Sequence, residues 1–411
     1  MTDTLGRWTR SRLRYCLTVD PPAPSTLRDN PGLPVSFLPM EAISERGELH
    51  LDREILVGDA ASGYSFVADG DVLIAKVTPC FENGKGAVVA GLTNGVGFAT
   101  TEVYTLRPGP NMDAQYLDYL LRSSVFRQYG TARLTGAGGL KRVSSTDLRN
   151  FSAAVPPLDE QRAIADFLDR ETARIDTLIE EQQRLIELLR ERRVAIAEGA
   201  VAELSWATPL RSVAVLIQTG PFGSQLKSDE YEFGGTPVIN PSHMAKGEIA
   251  PDEGVAVSAD KAEILSRHAM RAGDLVVARR GELGRCAVVR KTNAGALCGT
   301  GSALIRLDEK KVDPDFLALV FTSRRNRDSL SLSSVGSTMD NLNADIIGSL
   351  RIPAPPLGDQ IRIVASVAQA TAAVDTLIAE TERFIELARE RRTALITAAV
   401  TGQIDVRGEV A

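Results

Sequence analysis

Apolar residues recur every three or four positions along two segments of the chain, one in the middle and one at the end. The segments TLIEEQQRLIELLRERR (177–193) and TLIAETERFIELARERR (376–392) are identical at 12 of 17 positions. Apolar residues at heptad spacing, with charged residues between them, are typical of a helix that packs lengthwise against another helix. Each segment is therefore predicted to be a long amphipathic helix.

The match extends beyond these segments at a fixed offset of 199 residues, because PPLDEQ at 156–161 aligns with PPLGDQ at 355–360. The prolines stop each helix from extending upstream, and Asp159 and Asp359 are expected to cap its start. The pattern predicts that the apolar stripe contains Leu168, Ile175, Leu178, Leu185, Leu189 and Ile196, and in the second copy Val367, Val374, Leu377, Phe384, Ala388 and Leu395. Four isoleucines widen this stripe to a face: Ile179, Ile186, Ile378 and Ile385.

A helix of about 42 residues is roughly 60 Å long and cannot bury such a stripe alone. The segment 206–354 leaves the C-terminal end of the first helix and enters the N-terminal end of the second. A parallel pair would require this segment to bridge the whole helix length, so an antiparallel pair is predicted. A zipper between two chains is the alternative, although two copies within one chain meet at a far higher effective concentration.

The segments outside the helices alternate strand and helix patterns in the same order. Strands are predicted at 69–77 and 272–280, and amphipathic helices at 112–129 and 312–330. The fold class is therefore α+β: two similar domains at opposite ends of an antiparallel two-helix coiled coil, related by a pseudo-two-fold axis. The predicted boundaries are 1–155 for the first domain, 156–205 for the first helix, 206–354 for the second domain and 355–411 for the second helix and tail.

The charge of the chain is concentrated in the helices. Residues 156–205 hold 7 basic and 12 acidic side chains and residues 355–411 hold 6 and 8, whereas the two domains are close to neutral. The net charge of −6 thus neither supports nor excludes a nucleic-acid partner. Four scattered cysteines, the lack of a secretory signal and the lack of an uninterrupted apolar run of about 18 residues predict a cytoplasmic protein without a membrane span.

A series of motifs occurs in the order found in one known family: TPCFENGKGA (78–87), TGPFGSQL (219–226), TPVIN (236–240), the two PPLxxQ helix starts, LLRERR (188–193) and AAVTGQID (398–405). With these motifs the chain resembles, over nearly its whole length, the specificity subunit of type I restriction-modification systems. The resemblance implies a non-catalytic subunit in which each domain is a target-recognition domain that reads one half of a bipartite, asymmetric double-stranded DNA site. It also implies that the helices fix the gap and bind two methyltransferase subunits, and that the full complex adds two motor-nuclease subunits.

No catalytic motif stands out in the sequence. The [DN]PP[YF] tetrad of adenine methyltransferases is approached only by DPPA (20–23) and NPSH (240–243), which lack the aromatic ring that stacks on a flipped base. His50, His243 and His268 lack ligand spacing, and no phosphate-binding loop is present. We therefore predict no catalytic, cofactor or metal site. A self-contained DNA methyltransferase or nuclease and a coiled-coil scaffold that does not bind DNA are the alternatives.

Cationic and amide side chains on loops are the groups most suited to DNA phosphates and base edges. In the first domain the candidates are Asn83, Lys85, Arg133, Lys141 and Arg142; in the second they are Lys227, Arg279, Arg280, Arg285 and Asn341. A solvated surface charge is the alternative interpretation of each of them. The arginines of the long helices, such as Arg193 and Arg392, are expected to form ion pairs with neighbouring glutamates or to contact a partner.

Overall fold

A computed structural model describes residues 8–60, 63–136, 139–245, 247–334 and 342–406. The chain divides into two compact units. Unit 1 comprises Met1–Gln183 and Glu382–Ala411, and unit 2 comprises Arg184–Thr381. Each unit combines one α+β domain with parts of both long helices. We use domain 1 for residues 8–155 and domain 2 for residues 206–354.

Domain 1 contains ten strands: β1 (Thr9–Arg12), β2 (Leu17–Val19), β3 (Pro34–Leu38), β4 (Glu54–Leu56), β5 (Ser65–Ala68), β6 (Val72–Ala75), β7 (Gly86–Val88), β8 (Val96–Ala99), β9 (Val103–Pro108) and β10 (Ser152–Val155). Its helices are α1 (Ser25–Arg28), α2 (Val57–Ala60), α3 (Ala114–Arg122), α4 (Ser124–Thr131) and α5 (Ser145–Asn150), and the long α6 (Leu158–Ala202) follows. The strands form two four-stranded sheets, β2-β9-β6-β7 and β4-β3-β8-β5, and the pair β1-β10.

Domain 2 contains the strands β11 (Thr208–Pro209), β12 (Ala214–Thr219), β13 (Thr236–Ile239), β14 (Met244–Ala245), β15 (Glu248–Ile249), β16 (Ala256–Val257), β17 (Leu275–Ala278), β18 (Cys286–Val288), β19 (Leu297–Cys298), β20 (Ser302–Leu307) and β21 (Arg351–Ile352). Its helices are α7 (Ala259–Ile264), α8 (Pro314–Thr322), α9 (Arg324–Ser334) and α10 (Ala344–Ser349), and the long α11 (Leu357–Val400) follows. The sheets are β12-β20-β17-β18 and β16-β13-β19, with the pairs β11-β21 and β14-β15.

The two domains share one topology. The order β2-β9-β6-β7 in domain 1 corresponds to β12-β20-β17-β18 in domain 2. In the other sheet, β3 runs parallel to β8 as β13 runs parallel to β19. The prediction of two similar α+β domains is confirmed.

A buried carboxylate supports the corresponding strands of both domains. The carboxylate of Asp71 accepts hydrogen bonds from Nε and Nη2 of Arg107, both at 2.7 Å. Asp274 is held in the same bidentate way by Arg306, at 2.9 and 2.8 Å. Because a buried carboxylate is destabilising unless it is paired, each arginine is a required part of its sheet.

Each helix predicted at 112–129 and 312–330 is instead two helices separated by a serine. Ser123 has extended backbone angles, φ −60° and ψ 146°, and its side chain accepts a hydrogen bond from the amide of Phe126. Ser323 occupies the corresponding break between α8 and α9 and accepts from the amide of Asn326 at 3.4 Å. The prediction of one continuous helix was wrong because a serine hydroxyl caps a new helix start here.

The long helices run antiparallel within each unit. In unit 1, Ile164 and Leu168 near the start of α6 share a hydrophobic core with Ile396 and Val400 near the end of α11. In unit 2, Val201 at the end of α6 shares a core with Val364 near the start of α11. The start of one helix thus lies with the end of the other in both units, and the predicted antiparallel direction is confirmed.

The buried seam of the helices differs from the predicted stripe. The buried positions of α6 and α11 include Leu168, Thr172, Ile179, Ile186 and Leu189, and Thr371, Val374, Thr381, Ile385 and Ala388. Four residues predicted in the stripe are between 37% and 48% exposed: Leu178, Leu185, Leu377 and Phe384. The heptad phase was therefore wrong at these positions, because the seam is filled by the isoleucine that follows Leu178, Leu185 and Phe384 and by threonine. One residue corresponds to a rotation of about 100° around a helix.

The glutamine of each PPLxxQ motif fastens the start of a long helix to its domain. Gln161 accepts a hydrogen bond from the amide of Asp113 at 2.8 Å and donates to the carbonyls of Asn111 and Pro156 at 2.9 and 2.8 Å. Gln360 makes the same three bonds, accepting from the amide of Asp313 and donating to the carbonyls of Lys311 and Pro355. Both side chains are fully buried.

The two aspartates that were predicted to cap the long helices do not occupy the capping positions. α6 begins at Leu158 and α11 at Leu357, so Asp159 and Asp359 lie inside the first turn. There a carboxylate still favours the helix, through its dipole, although it does not occupy the capping position.

Two equivalent ion pairs cross the seam, one in each unit. Nε of Arg392 lies 3.0 Å from Oδ1 of Asp176 in unit 1, and Nε of Arg193 lies 2.7 Å from Oδ1 of Asp375 in unit 2. The four positions are related by the offset of 199 residues. These arginines were predicted to pair with neighbouring glutamates, but their partners are aspartates of the opposite helix.

The pair in unit 1 should contribute more to stability than the pair in unit 2. The side chains of Arg392 and Asp176 are 19% and 23% exposed, whereas those of Arg193 and Asp375 are 48% and 49% exposed. Exposed pairs are screened by water and contribute about 0.2–1 kcal/mol. We expect a double-mutant cycle with Asp176→Asn and Arg392→Gln, read by urea unfolding, to give a coupling near the top of this range. The equivalent cycle in unit 2 should give a smaller value; an equal or larger one would contradict this ranking.

One long helix among the described residues is apolar enough, by length and composition alone, to cross a membrane. An 18-residue window of α11 has a mean hydropathy of 1.4 with 11% of the window buried. The prediction that no segment qualifies rested on uninterrupted apolar runs and did not consider this window, in which alanines separate the few charged residues.

Candidate nucleic-acid interface

In domain 1, two of the candidate loops meet at one edge of the β2-β9-β6-β7 sheet. β6 ends at Ala75, opposite Val103 at the start of β9, and the chain continues into the loop 78–85. The amide of Thr78 donates to the carbonyl of Lys141 at 3.0 Å, and its hydroxyl accepts from the amide of Lys141 at 3.0 Å. The structure thus brings the loop 78–85 beside the exposed pair Lys141 and Arg142.

Lys76 is a cation of this edge that the sequence analysis missed. Its ammonium lies 4.5 Å from the centre of the Tyr104 ring. Burial lowers the pKa of Lys76, the nearby Asp20 raises it, and the nearby Arg142 lowers it. The ammonium of Lys76 thus lies close to both of these charged groups. Lys76 was not considered because it lies at the end of a predicted strand. The alignment of DVLIAK (71–76) with DLVVAR (274–279) could have indicated it, since Lys76 is equivalent to the candidate Arg279.

The other candidates of domain 1 lie on the same loops and are partly engaged. Asn83 is exposed and donates to Oε1 of Glu45 at 2.9 Å. Lys85 is half-buried, with its ammonium 3.5 Å from the carbonyl of Met40. The guanidinium of Arg133 is exposed and lies 3.8 Å from the centre of the Tyr129 ring. All three contacts lie near the surface, where a phosphate or a base edge could replace them.

Domain 2 presents the corresponding edge of its sheet. β12 ends at Thr219, opposite Ala303, and β17 ends at Ala278, opposite Ser302. The motif TGPFGSQL therefore continues from the same edge as the loop 279–285. Phe222 in this motif is exposed, as is Lys227 just beyond it.

The two adjacent arginines of this edge have different environments. Arg279 is 7% exposed and its Nε donates to the carbonyl of Leu342 at 3.1 Å. Burial lowers the pKa of Arg279, and the neighbouring Arg280 lowers it further. Arg280 is exposed. Arg279 was expected at the surface, but its guanidinium is bonded to Leu342 just before α10, which leaves Arg280 as the surface cation of the pair.

The remaining candidates of domain 2 are Arg285 and Asn341. Arg285 is half-buried, with Nη1 3.0 Å from the carbonyl of Pro241 and Nε 3.1 Å from Oε2 of Glu282. Asn341 lies outside the described residues.

A second group in domain 2, which no sequence pattern indicated, adds an exposed cation near Lys227. Nη2 of Arg267 donates to Oε1 of Gln225 at 3.1 Å, and its Nε lies 3.0 Å from Nε2 of His268. Burial, with a smaller contribution from Arg267, lowers the pKa of His268 to about 4. The imidazole is therefore neutral near pH 7 and can accept the hydrogen bond from Arg267, which orients this guanidinium.

These side chains can bind an anionic polymer, since they are cations and amides at loop ends. Within the described part of the chain, no group of three or more His, Cys, Asp and Glu side chains could hold a metal ion. The two domains thus present corresponding sheet edges that carry different cationic and amide groups.

Comparisons with known proteins identify this architecture. The family model described as "Type I restriction modification DNA specificity domain" matches residues 70–189 and 219–386. The EcoEI specificity subunit of Escherichia coli is 38% identical over 156 residues, which are 38% of this chain and 26% of that protein. The EcoKI specificity subunit of Escherichia coli (strain K12) is 23% identical over 73% of this chain and 67% of its own length. The match to EcoEI thus spans about a quarter of that relative.

Solved structures show the same fold. A chain from a structure described as "Structural basis underlying complex assembly and conformational transition of the type I R-M system" has a TM-score of 0.79 at 20% identity, covering 97% of this chain and 98% of that chain. The HsdS subunit from Thermoanaerobacter tengcongensis has a TM-score of 0.59 at 20% identity, covering 97% of each chain. With the family model matched over more than half of its length, this chain belongs to the family of type I restriction-modification DNA specificity domains.

Proposed function

We propose that this chain is the non-catalytic DNA-recognition subunit of a type I restriction-modification complex. Each domain reads one half of a bipartite, asymmetric double-stranded site. The observation that carries the proposal is the repetition of one sheet edge with different loops. TPCFENGK follows β6 in domain 1, and RRGELGR follows β17 in domain 2.

The architecture supports two half-sites of unlike sequence. Phosphate contacts position a duplex, and side chains at base edges specify it. Lys76, Lys141 and Arg142 supply cations in domain 1, and Arg267, Arg280 and Lys227 supply them in domain 2. Since the scaffold is common and the loops differ, the two domains can bind opposed half-sites of different sequence.

The long helices are proposed to fix the gap between the half-sites. α6 is continuous over 45 residues, which corresponds to about 67 Å at 1.5 Å per residue. In this proposal the domains occupy opposite ends of the helix pair under a pseudo-two-fold axis. The gap length then follows from the number of helical residues.

Methylome sequencing of a host with and without this chain tests the proposal. We expect a bipartite asymmetric methylation motif that disappears when the chain is deleted. Purified chain incubated with S-adenosylmethionine and mixed DNA should transfer no methyl group. Methyl transfer by the chain alone would instead establish a self-contained methyltransferase, and an unchanged methylome would remove the basis for a recognition role.

We propose one docking surface for a methyltransferase subunit in each unit and call the exposed apolar residues that form them the apolar stripe. In unit 1 these residues are Leu178, Phe384 and Leu387, and in unit 2 they are Leu185, Leu188 and Leu377. Leu178 lies about 200° around the helix from Glu180, which contacts domain 1 through Arg46. Leu178 therefore faces away from domain 1 at this point of α6. The motor-nuclease subunits of the full complex are proposed to join the assembly without contacting this stripe.

Charged substitutions in this stripe should prevent assembly without unfolding the chain. We expect Leu185→Glu with Leu188→Glu to weaken methyltransferase binding at least 100-fold, because exposed leucines would be replaced by carboxylates that must lose water on docking. Calorimetric titration with the purified methyltransferase measures the effect. Leu332→Glu on α9, which alters an exposed leucine outside the stripe, is the control. Equal affinity in both variants would contradict the assignment of the stripe.

Substitutions of the two adjacent arginines of domain 2 should have different effects, one on DNA binding and the other on stability. Arg280→Ala should weaken binding to the cognate site by about 1–3 kcal/mol and relax one half-site, because an exposed guanidinium that contacts a base edge contributes about this much. Arg279→Ala should mainly lower the midpoint of thermal unfolding, since it removes the bond to Leu342. Fluorescence anisotropy with the assembled methyltransferase and differential scanning calorimetry measure the two effects. If Arg280→Ala relaxes both half-sites together, the assignment of one half-site to each domain is wrong.

A further inference from the structure

Domain 1 is bonded to α6 by a partly buried polar network. The hydroxyl of Tyr119 donates to Oδ1 of Asp169 at 2.7 Å and lies 3.2 Å from Oγ1 of Thr172, both on α6. Nε2 of Gln115 donates to the same Asp169 oxygen at 3.1 Å. Tyr119 and Thr172 are buried, which shields the contact between their hydroxyls from competing water, whereas Asp169 lies at the exposed edge of the network.

The attachment of domain 1 continues further along α6. Nη1 of Arg46 donates to Oε1 of Glu180 at 2.6 Å, 11 residues beyond Asp169. Together with Gln161 at the helix start, these contacts span 19 residues of α6, which corresponds to about 29 Å. Contacts spread over this length resist rotation of the domain against the helices.

Domain 2 lacks the corresponding bonding groups along its helix. The residues at the positions equivalent to Tyr119, Asp169 and Glu180 are Leu319, Ala368 and Ala379. Leu319 and Ala368 line an open groove of about 690 Å³ between domain 2 and the long helices. The corresponding space in unit 1, lined by Tyr119 and Asp169, measures about 250 Å³.

The hydrogen bonds that do attach domain 2 are close to one end of its helix segments. Gln360 lies in the first turn of α11, and the carboxylate of Glu198, near the end of α6, accepts a hydrogen bond from the amide of Arg324 at 3.0 Å. The indole of Trp206 donates to the carbonyl of Val201 at the same end. Since the start of α11 lies with the end of α6 in this unit, these contacts form one attachment beside the open groove in the described part of domain 2.

We propose that Tyr119 and Asp169 are positioning residues that hold domain 1 in one orientation, whereas domain 2 pivots about its single attachment and closes its groove on binding. This inference rests on the proposed function: domain 1 binds its half-site in a fixed orientation, and domain 2 adjusts its orientation to bind the other. The number of helical residues sets the mean gap length, and the adjustment of domain 2 sets the range of gaps around this mean. Closure is favourable because Leu319, Val364, Val367 and Ala368 present apolar surface to the groove.

Pulsed electron-electron resonance on the DNA-free chain tests the pivot by itself. One spin-label pair joins Gln128 on α4 to Glu181 in unit 1, and the other joins Asp328 on α9 to Glu380 in unit 2, all four exposed. Cys16 and Cys80 are replaced by serine, since the other two cysteines are buried. We expect the distance distribution in unit 2 to be at least twice as wide as in unit 1. Equal widths would overturn the proposal.

Reciprocal exchange of the network identifies its cause. Leu319→Tyr with Ala368→Asp should narrow the distribution in unit 2, and Tyr119→Leu with Asp169→Ala should widen that in unit 1. The control, Leu332→Tyr with Ala365→Asp, places the same groups at exposed positions outside the groove and should change neither width. A width in unit 2 that does not respond to the first exchange would also overturn the proposal, even if the second exchange unfolds unit 1.

The gap lengths in the methylome provide a readout that destabilisation alone would not change. With native cysteines restored, the variant Leu319→Tyr with Ala368→Asp should methylate sites over a narrower range of gaps, and Tyr119→Leu with Asp169→Ala over a wider range. Unchanged gap ranges would contradict the role in positioning. If the distance distributions behave as expected but no bipartite motif exists, the proposed function fails while the pivot stands.

Discussion

Replacing Gln161 by leucine is expected to lower the free energy of unfolding of unit 1 by about 3 kcal/mol or more, while unit 2 retains its stability. The side chain is fully buried and its amide makes three hydrogen bonds to main-chain groups. Leucine has a similar volume, so packing changes little. The amide of Asp113 and the carbonyl of Asn111 would remain buried without this partner, and an unsatisfied buried group costs about 1–3 kcal/mol.

Hydrogen exchange measured by mass spectrometry locates the loss, because the two units can unfold separately. Exchange in α3 and the start of α6 should accelerate by about 100-fold or more, with α8 unaffected. Gln360→Leu should produce the mirror result, with α8 accelerated and α3 protected. The matched control is Gln183→Leu, which alters an exposed glutamine of α6. If Gln161→Leu and Gln183→Leu behave alike, the glutamine does not fasten the helix to its domain.

A chain that ends at Ser205 is expected to form a homodimer. The cut removes Ile396, Ala399 and Val400, which belong to the core of domain 1, so a monomer would expose that core. A second copy can replace them, because Ala197, Ala200 and Val201 of its α6 occupy the equivalent repeat positions. Ala197 in place of the buried Ile396 leaves a cavity at each of the two sites, which weakens the dimer by about 2–5 kcal/mol per site.

The cavity offers a direct test of how the copies pair. Ala197→Ile in the shortened chain should recover most of the lost association energy, as measured by sedimentation equilibrium. Ala195→Ile on the exposed side of the same helix should not. With the methyltransferase present, the homodimer should methylate a palindrome built from the half-site of domain 1. A monomer at high concentration, or a dimer that reads an asymmetric site, would contradict the pseudo-symmetric arrangement.

The sequence predicted the large-scale organisation because that information is repeated along the chain. The offset of 199 residues indicated two helices, their direction and two related domains. The phase of the seam was not predictable in the same way. Leu178 and Ile179 are neighbours with similar hydrophobicity, and only packing against the opposite helix determines that Ile179 is buried and Leu178 exposed.

The sequence indicated candidate loops but not which of their side chains are exposed. Both arginines at the start of the loop 279–285 were candidates, yet Arg279 is buried and Arg280 is exposed. These adjacent arginines are chemically identical, and only the position of Leu342 distinguishes them. Lys76 and Arg267 were missed for a related reason, since their neighbours Tyr104 and Gln225 are distant in sequence.

The hydrogen bonds of Gln161 and Gln360, which connect each long helix to its domain, have a consequence for how such a chain can change in sequence. Gln161 and Gln360 bond only to main-chain atoms, so the joint does not depend on the side chains of the domain that it holds. A domain of different sequence with the same backbone path before α3 or α8 would form the same hydrogen bonds with the glutamine. Under the proposed function, recombination at the PPLxxQ boundaries would therefore exchange a whole domain and change one half of the target sequence without altering the long helices.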